Sequence, residues 1–104
     1  METLENFIED KVIKLADEFV YHKTKKCLYR DSRFIALSKR ENIFLELLLK
    51  GDKNIVEDAS IKTALWDEEV TNDRLRTFIR RFRGKTSKNL LINVKGVGYQ
   101  IEIA

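Results

Sequence analysis

The chain has 104 residues, of which 43% are apolar and 36% charged, a composition that fits one soluble globular domain and excludes two. Its longest apolar run, residues 44–49, is interrupted by Glu46, so no segment is predicted to span a membrane. The net charge of +3 is unevenly distributed. Residues 1–70 have 12 Lys or Arg against 15 Asp or Glu, a net charge of −3, whereas residues 71–100 have 8 against 1, a net charge of +7. Glu102 contributes the remaining charge of −1. Such a one-sided basic surface is typical of proteins that bind nucleic acid.

The cysteine content and the N-terminal sequence indicate a reducing compartment. No basic segment followed by an apolar segment opens the chain, so secretion is not predicted. The single Cys27 excludes an internal disulfide, and we expect it in a strand rather than as a nucleophile. A cytoplasmic location is therefore expected.

The N-terminal third is predicted to form a sheet. Residues 1–10 are acidic and only partly apolar, and we interpret them as a linker remnant or frayed helix before a domain of residues 11–104. Polar breaks short enough for tight connections separate four runs typical of strands: residues 12–16, 19–22, 27–30 and 33–37. This pattern predicts an antiparallel meander of three or four strands. A helix is the alternative for the first run, because five apolar residues could line one helical face: Leu4, Ile8, Val12, Leu15 and Phe19.

Two helices are predicted next. Ser38 and Glu41 have the spacing of a capping box, which predicts a helix start, and Gly51 is expected to end this helix. Its inner face is predicted to consist of Ile43, Phe44, Leu47 and Leu48. A second helix is predicted over residues 57–66, followed by an acidic loop, and its inner face is predicted to consist of Ile61, Ala64 and Leu65.

A third helix, over residues 71–85, has two contrasting faces. Four apolar residues recur at i, i+3, i+4 and i+7 and must face a core: Leu75, Phe78, Ile79 and Phe82. The opposite face consists of Arg74, Arg76, Thr77, Arg80, Arg81 and Arg83. Residues 71–73 are predicted to cap the start of this helix, and Gly84 to mark its end. Because no carboxylate is predicted inside the helix, the arginines of this face are expected to repel each other unless a polyanion binds them. A solvated basic face is the alternative.

A hairpin is predicted to close the chain. Residues 90–94 and 99–103 have strand composition and are joined by residues 95–98. Gly96 and Gly98 are expected to allow a turn with positive φ and close approach to a duplex, with the charge of Lys95 at the tip. An ordinary hairpin turn is the alternative.

Several of these segments together resemble the winged-helix effector domain of OmpR/PhoB-type response regulators. They are L-S-x-x-E at residues 37–41, L-W at 65–66, the arginine-rich segment 74–83, and V-K-G-V-G-Y at 94–99. The strongest part is the order of I-R-R-F-R and V-K-G-V-G-Y, which lie about ten residues apart. The resemblance covers residues 11–103. It implies an α+β fold, a winged helix-turn-helix with an N-terminal antiparallel sheet, three helices and a C-terminal hairpin wing.

The resemblance also implies a function: sequence-specific binding of double-stranded DNA as the transcription-regulating effector domain of a two-component system. The third helix would enter the major groove, with base contacts from Thr77, Arg80 and Arg81. Lys95, in the wing, would enter the minor groove. Backbone contacts are implied for Arg74, Arg83, Asn93 and Tyr99.

Further partners follow from the same resemblance. The loop before the third helix would contact RNA polymerase through Asp67, Glu68, Glu69 and Val70. The alternative is that Trp66 is a core residue and the acidic residues are merely solvated. A second copy is expected on tandem DNA half-sites.

A receiver domain normally precedes this module, and the chain lacks room for one. We therefore expect an excised effector domain rather than an orphan regulator. None of three aspartates is expected to be a phosphorylation site: Asp10, Asp17 and Asp31.

Three positions depart from the family pattern. Arg76 and Phe78 replace residues that are often Asp and His, so the resemblance does not define the base preference. Glu57 replaces a Ser or Thr cap and predicts a weaker start for the second helix.

Other functional classes have less support. One histidine, one cysteine, no metal-ligand spacing and no phosphate-binding glycine loop argue against an enzyme, and no cofactor or metal is expected. His22 is predicted to be a surface residue. A winged helix that docks an acidic protein is the alternative function, and steep salt dependence of DNA binding would distinguish the two.

Overall fold

The computed structural model describes residues 11–50 and 55–104 as helices between two antiparallel sheets. In chain order the elements are β1 Val12–Lys14, β2 Phe19–His22, β3 Cys27–Arg30, β4 Arg33–Ile35, α1 Lys39–Lys50, β5 Val56–Glu57, α2 Asp58–Leu65, α3 Asn72–Lys85, β6 Leu91–Val94 and β7 Gly98–Ile101. The predicted linker and the glycine expected to end α1 lie outside the described residues. The predicted α+β winged-helix architecture is confirmed.

The N-terminal sheet is the predicted meander, with strand order β1-β2-β3-β4. The helical alternative for the first run is wrong, because Ile13 pairs with Tyr21 across β1 and β2. Between β3 and β4, Asp31 and Ser32 both have positive φ, at 50° and 66°, as a two-residue type I′ turn requires. The right-handed twist of paired strands favours this turn, so the hairpin register is set locally.

One face of this sheet packs on α1. Phe19, Tyr21 and Leu28 are buried there, and the hydroxyl of Tyr21 donates a 2.6 Å hydrogen bond to Glu46 Oε2 on α1. Cys27 lies in β3, as predicted. The sheet therefore supports the helix against which α3 packs.

The predicted capping box forms at the start of α1. The Glu41 amide donates to Ser38 Oγ (3.1 Å), and the Ser38 amide donates to Glu41 Oε1 (2.8 Å). Lys85 Nζ, at the end of α3, also donates to Glu41 Oε1 at 2.6 Å. Burial raises the pKa of Glu41, but the hydrogen bonds from Lys85 and Ser38 and the lysine charge outweigh it and hold the pKa below its ordinary value.

The inner faces of α1 and α2 differ from the prediction at three positions. Ile43 is 39% exposed and Leu45 is fully buried, because α1 packs against the sheet on one side and α3 on the other. Ala64 on α2 is exposed, whereas Ile61 and Leu65 are buried as predicted. A single helical stripe does not describe a helix that is covered from two directions.

The second sheet contains a strand that the sequence did not reveal. β5 pairs with β7 through Val56 and Tyr99, giving the order β5-β7-β6. Glu57 then caps α2 without a side-chain hydrogen bond, in agreement with the weaker cap predicted there. The Asp58 amide instead donates to the Val97 carbonyl of the hairpin at 3.1 Å. The start of α2 is therefore stabilised by the hairpin.

The end of the chain returns to the first sheet. Leu15 forms a bridge with Ile103, and the Ala16 amide donates to the Glu102 carbonyl at 2.9 Å. No helix among the described residues is long and apolar enough to span a membrane.

Candidate nucleic-acid interface

The apolar stripe of α3 faces the core, as predicted. Leu75, Ile79 and Phe82 are buried, and Phe78 is half-buried with its ring centroid 5.3 Å from that of Phe44. Thr71 Oγ1 accepts from the Arg74 amide at 3.1 Å and caps the first turn. The arginine-rich face is therefore directed outward.

Two carboxylates neutralise part of this face, which corrects the expectation of a helix without an internal carboxylate. Asp73 lies inside the first turn of α3 and forms an ion pair with Arg76 one turn later. Glu68, from the loop before α3, pairs with Arg74 at 3.1 Å. Within the described chain, Arg80 and Arg81 are exposed and have no ion pair.

A groove runs between α3 and the C-terminal hairpin. Among the residues that line this hairpin-side groove are Arg76, Thr77, Arg80, Arg83, Asn93 and Tyr99. Arg83 is half-buried and donates from Nη2 to the Leu91 carbonyl of β6 at 2.9 Å, so its guanidinium is held against the hairpin. Tyr99 is only 6% exposed, and burial, with the Asp58 carboxylate, raises the pKa of its phenol. Tyr99 therefore lies deeper than an open phosphate-contact residue would.

A second groove lies along the other flank of α3. Among the residues that line this tryptophan-side groove are Arg40, Trp66, Arg74, Thr77, Phe78 and Arg81. Trp66 is 7% exposed and packs edge-on against Phe78 at a centroid distance of 5.7 Å, which confirms the core interpretation of this residue. Arg40 was not a predicted site residue, because it lies on α1 and only tertiary packing brings it to α3.

The hairpin ends in a tight turn. The Val97 amide donates to the Val94 carbonyl at 2.9 Å, and Gly96 has a φ of 79°, as the third position of a type II turn requires. Lys95 is exposed at the tip of this turn.

Gly98 has a different role from the one predicted. Its φ is not positive, and a Cβ at this position would lie 2.0 Å from the Val56 carbonyl oxygen. The glycine is needed for the close approach of β5 to β7, not for the turn.

The acidic loop before α3 is exposed at three of its predicted positions. Asp67, Glu68 and Glu69 are open to solvent, whereas Val70 is buried. The loop thus presents carboxylates and is attached to the core at both ends, by Trp66 and Val70. No cluster of His, Cys, Asp and Glu that could hold a metal ion occurs among residues 11–50 and 55–104.

A protein-family comparison decides the classification. The family described as "Transcriptional regulatory protein, C terminal" matches residues 31–101. The chain belongs to this family. It is similar to the transcriptional regulatory protein CrdR of Helicobacter pylori, with 27% identity over 97 residues that cover 93% of this chain and 45% of CrdR. The chain therefore spans about half the length of this relative.

Solved structures share the fold of this OmpR/PhoB-type effector domain. The response regulator DrrB of Thermotoga maritima, an OmpR/PhoB homologue, superposes with a TM-score of 0.75 at 20% identity, over 95% of this chain and 47% of DrrB. The DNA-binding domain of RstA from Klebsiella pneumoniae, in complex with the RstA box, gives a TM-score of 0.72 at 17% identity, over 88% of this chain and 97% of that domain. In the terms of this family, α3 is the recognition helix and the β6–β7 hairpin is the wing. These structures show the shared fold, and the family match places the domain among transcriptional regulatory proteins.

Proposed function

We propose that the effector domain binds duplex DNA with α3 in the major groove and the wing tip in the adjacent minor groove. The observation that supports this most strongly is the pair of exposed arginines without ion pairs, Arg80 and Arg81, on the outer face of α3 between two arginine-lined grooves. A major groove about 12 Å wide admits an α-helix, and guanidinium groups pair bidentately with guanine there. The positive charge of the C-terminal third then meets the phosphates.

The proposed contacts divide into two kinds. Thr77, Arg80 and Arg81 read base edges, because they occupy the outward face of α3. Backbone phosphates are bound by Arg74, Arg83, Asn93 and Tyr99, with Tyr99 contributing only the small part of its side chain that is exposed. Lys95 occupies the minor groove, where a lysine responds to the groove's potential and not to individual bases.

The chain is proposed to be the effector part of a longer cytoplasmic response regulator, preceded by a receiver domain. The support is its 45% coverage of CrdR and 47% coverage of DrrB. A contact with RNA polymerase through Asp67, Glu68 and Glu69 is part of this proposal, because these carboxylates are exposed and fit a basic partner surface. Val70 would support the loop from the core.

Salt titration of DNA binding tests the proposed function. The logarithm of the binding constant for a mixed-sequence duplex should fall linearly with the logarithm of salt concentration, with a slope of about −0.9 per phosphate contact. On a duplex selected from random sequences, the double variant Arg80→Ala with Arg81→Ala should lower affinity, whereas Arg33→Ala, an exposed arginine on β4, serves as the control and should not.

The alternative function predicts a different result. A module that docks an acidic protein should bind polyglutamate as tightly as duplex DNA, and selection from random duplexes should then yield no preferred sequence. That outcome would contradict DNA binding as the function of this surface.

A further inference from the structure

Arg40 extends from the first turn of α1 to the end of α2. Its Nε donates a 3.0 Å hydrogen bond to the carbonyl oxygen of Leu65, the last residue of α2. Its guanidinium carbon also lies 5.3 Å from the centroid of the Trp66 ring, within the range of a cation–π interaction. An exposed arginine on α1 is thus held in one place by two groups of α2 and the loop that follows it.

The same ring is approached by a second arginine. The guanidinium of Arg74 lies 5.6 Å from the Trp66 centroid, and Arg81 lines the same tryptophan-side groove. Only Arg74 among these three cations has an ion pair among the described residues, with Glu68. Asp73 also lines this groove, but its carboxylate forms an ion pair with Arg76. The remaining positive charges repel each other, so the groove favours an anion.

The held guanidinium of Arg40 retains hydrogen-bonding capacity. The bond to Leu65 uses Nε alone, and in the described part of the chain no acceptor occupies Nη1 or Nη2. A planar guanidinium that is already oriented loses little freedom when it binds, and its parallel N–H groups match the oxygens of a phosphate.

We propose that Arg40 binds a backbone phosphate of the duplex that α3 reads, on the flank of α3 that does not face the wing. This inference rests on the proposed function. Thr77 lines both grooves beside α3, so a duplex seated on α3 passes Arg40 on one side and Arg83 on the other. Contacts from α1 would thereby fix the position of the helix in the major groove from the side opposite the wing.

The slope of the salt titration provides the test. Arg40→Gln should reduce the magnitude of the slope by about 0.9 and weaken binding by the same factor on a selected duplex and on a mixed-sequence duplex. Arg40→Lys keeps the positive charge but lacks the parallel N–H donors of a guanidinium, so it should keep the slope while losing some affinity. Lys50→Ala, at the other end of α1, removes a charge far from the groove and should leave the slope unchanged.

A second readout comes from the only tryptophan of the chain. Phosphate binding at Arg40 changes the surroundings of the Trp66 ring, so duplex DNA should change its fluorescence in the wild type and change it less in Arg40→Gln.

Three outcomes separate the explanations. A lower melting temperature for Arg40→Gln with an unchanged slope would show that Arg40 only caps α2, and would overturn the inference. If Arg40→Gln does not fold, Arg40→Lys provides the test. A slope reduced by about 0.9 in Arg40→Lys would overturn the inference, because this variant keeps the charge that the phosphate contact requires. A wild-type protein with no steep slope, and no effect of the paired Arg80 and Arg81 substitutions, would instead contradict the proposed function itself.

Discussion

The arginines on and beside α3 differ in what already binds them. Arg76 and Arg74 are paired with carboxylates, and Arg83 donates to the Leu91 carbonyl. Arg80 and Arg81 have no ion pair among the described residues, so neither must break one before it reaches a base. The two unpaired arginines are therefore better suited to base reading than their neighbours.

Arg81 provides the first test of this difference between the arginines. Arg81→Ala should weaken binding to the specific site by about 1–3 kcal/mol and leave binding to random DNA nearly unchanged, because a guanidinium paired with guanine discriminates by about that amount. Competition titrations with both duplexes measure it. Arg33→Ala, at an exposed arginine on β4, is the control and should show no such preference. Equal losses on both duplexes for Arg81→Ala would make it a phosphate contact.

Lys95 provides the second test. The exposed lysine at the wing tip should favour narrow minor grooves, where A·T-rich sequence concentrates negative potential. Lys95→Ala should therefore weaken sites with A·T-rich flanks more than sites with G·C-rich flanks, as measured by parallel binding titrations. Lys88→Ala, an exposed lysine outside the hairpin, should affect both equally. A uniform loss for Lys95→Ala would leave it as a general phosphate contact.

At the scale of elements, an aromatic cluster positions the recognition helix. Phe44 of α1 contacts Phe78 and Phe82 of α3 in edge-to-face pairs with centroids 5.3 and 5.2 Å apart, and Trp66 contacts Phe78. Edge-to-face aromatic pairs add specific geometry to apolar burial. The direction in which the arginines point is therefore set by the core.

Phe82→Ala should lower the free energy of unfolding by about 3–5 kcal/mol, because it leaves a cavity beneath a fully buried side chain. Urea denaturation measures this change. Phe34→Ala makes the same substitution at a side chain that is 56% exposed and should cost far less. Unchanged stability for Phe82→Ala would mean that α3 faces the other way.

The two wing glycines should respond differently to alanine. At Gly98 the added Cβ would collide with the Val56 carbonyl, so Gly98→Ala should separate β5 from β7 and expose their amides to hydrogen exchange. At Gly96 the space is open and only the positive φ is unfavourable, at a cost of about 1–2 kcal/mol without loss of the β5–β7 pairing. Protection factors at Tyr99 distinguish the two variants. Equal protection in both would contradict the close-approach role of Gly98.

At the scale of the whole molecule, nothing in the sequence demands a permanent partner. There is no sustained heptad repeat and no long apolar strand that would require another chain. We therefore expect the free domain to be mainly monomeric and to pair only on DNA, as the family resemblance implies.

Two copies should bind one site in tandem, with centres about one helical turn, or 10–10.5 base pairs, apart on the same face of the duplex. Insertion of about five base pairs between half-sites should rotate one copy to the opposite face of the duplex and abolish cooperative binding. An insertion of about ten base pairs should return both copies to the same face and restore cooperative binding. Footprinting on these duplexes, with sedimentation of the free protein, measures both parts. A stable dimer in solution, or a footprint of one copy that is insensitive to spacing, would contradict the prediction.

Local patterns in the sequence were sufficient for much of the fold and site. The strand runs of the meander, the Ser38–Glu41 capping box and the apolar stripe of α3 depend on contacts within a few residues or on a helical period, so the chain specifies them without reference to distant parts. The outward arginines follow from that same stripe, because the face opposite a buried one is exposed.

Contacts between distant segments decided the rest. β5 has only two residues and is a strand because β7 pairs with it, and Gly98 is required there because β5 lies against it. Leu45 is buried, and Ile43 is not, because α1 is covered from two sides. Arg40 belongs to the α3 surface because Trp66, from another helix end, lies beneath its guanidinium. No local period encodes these features, since each depends on a partner that only tertiary packing brings near.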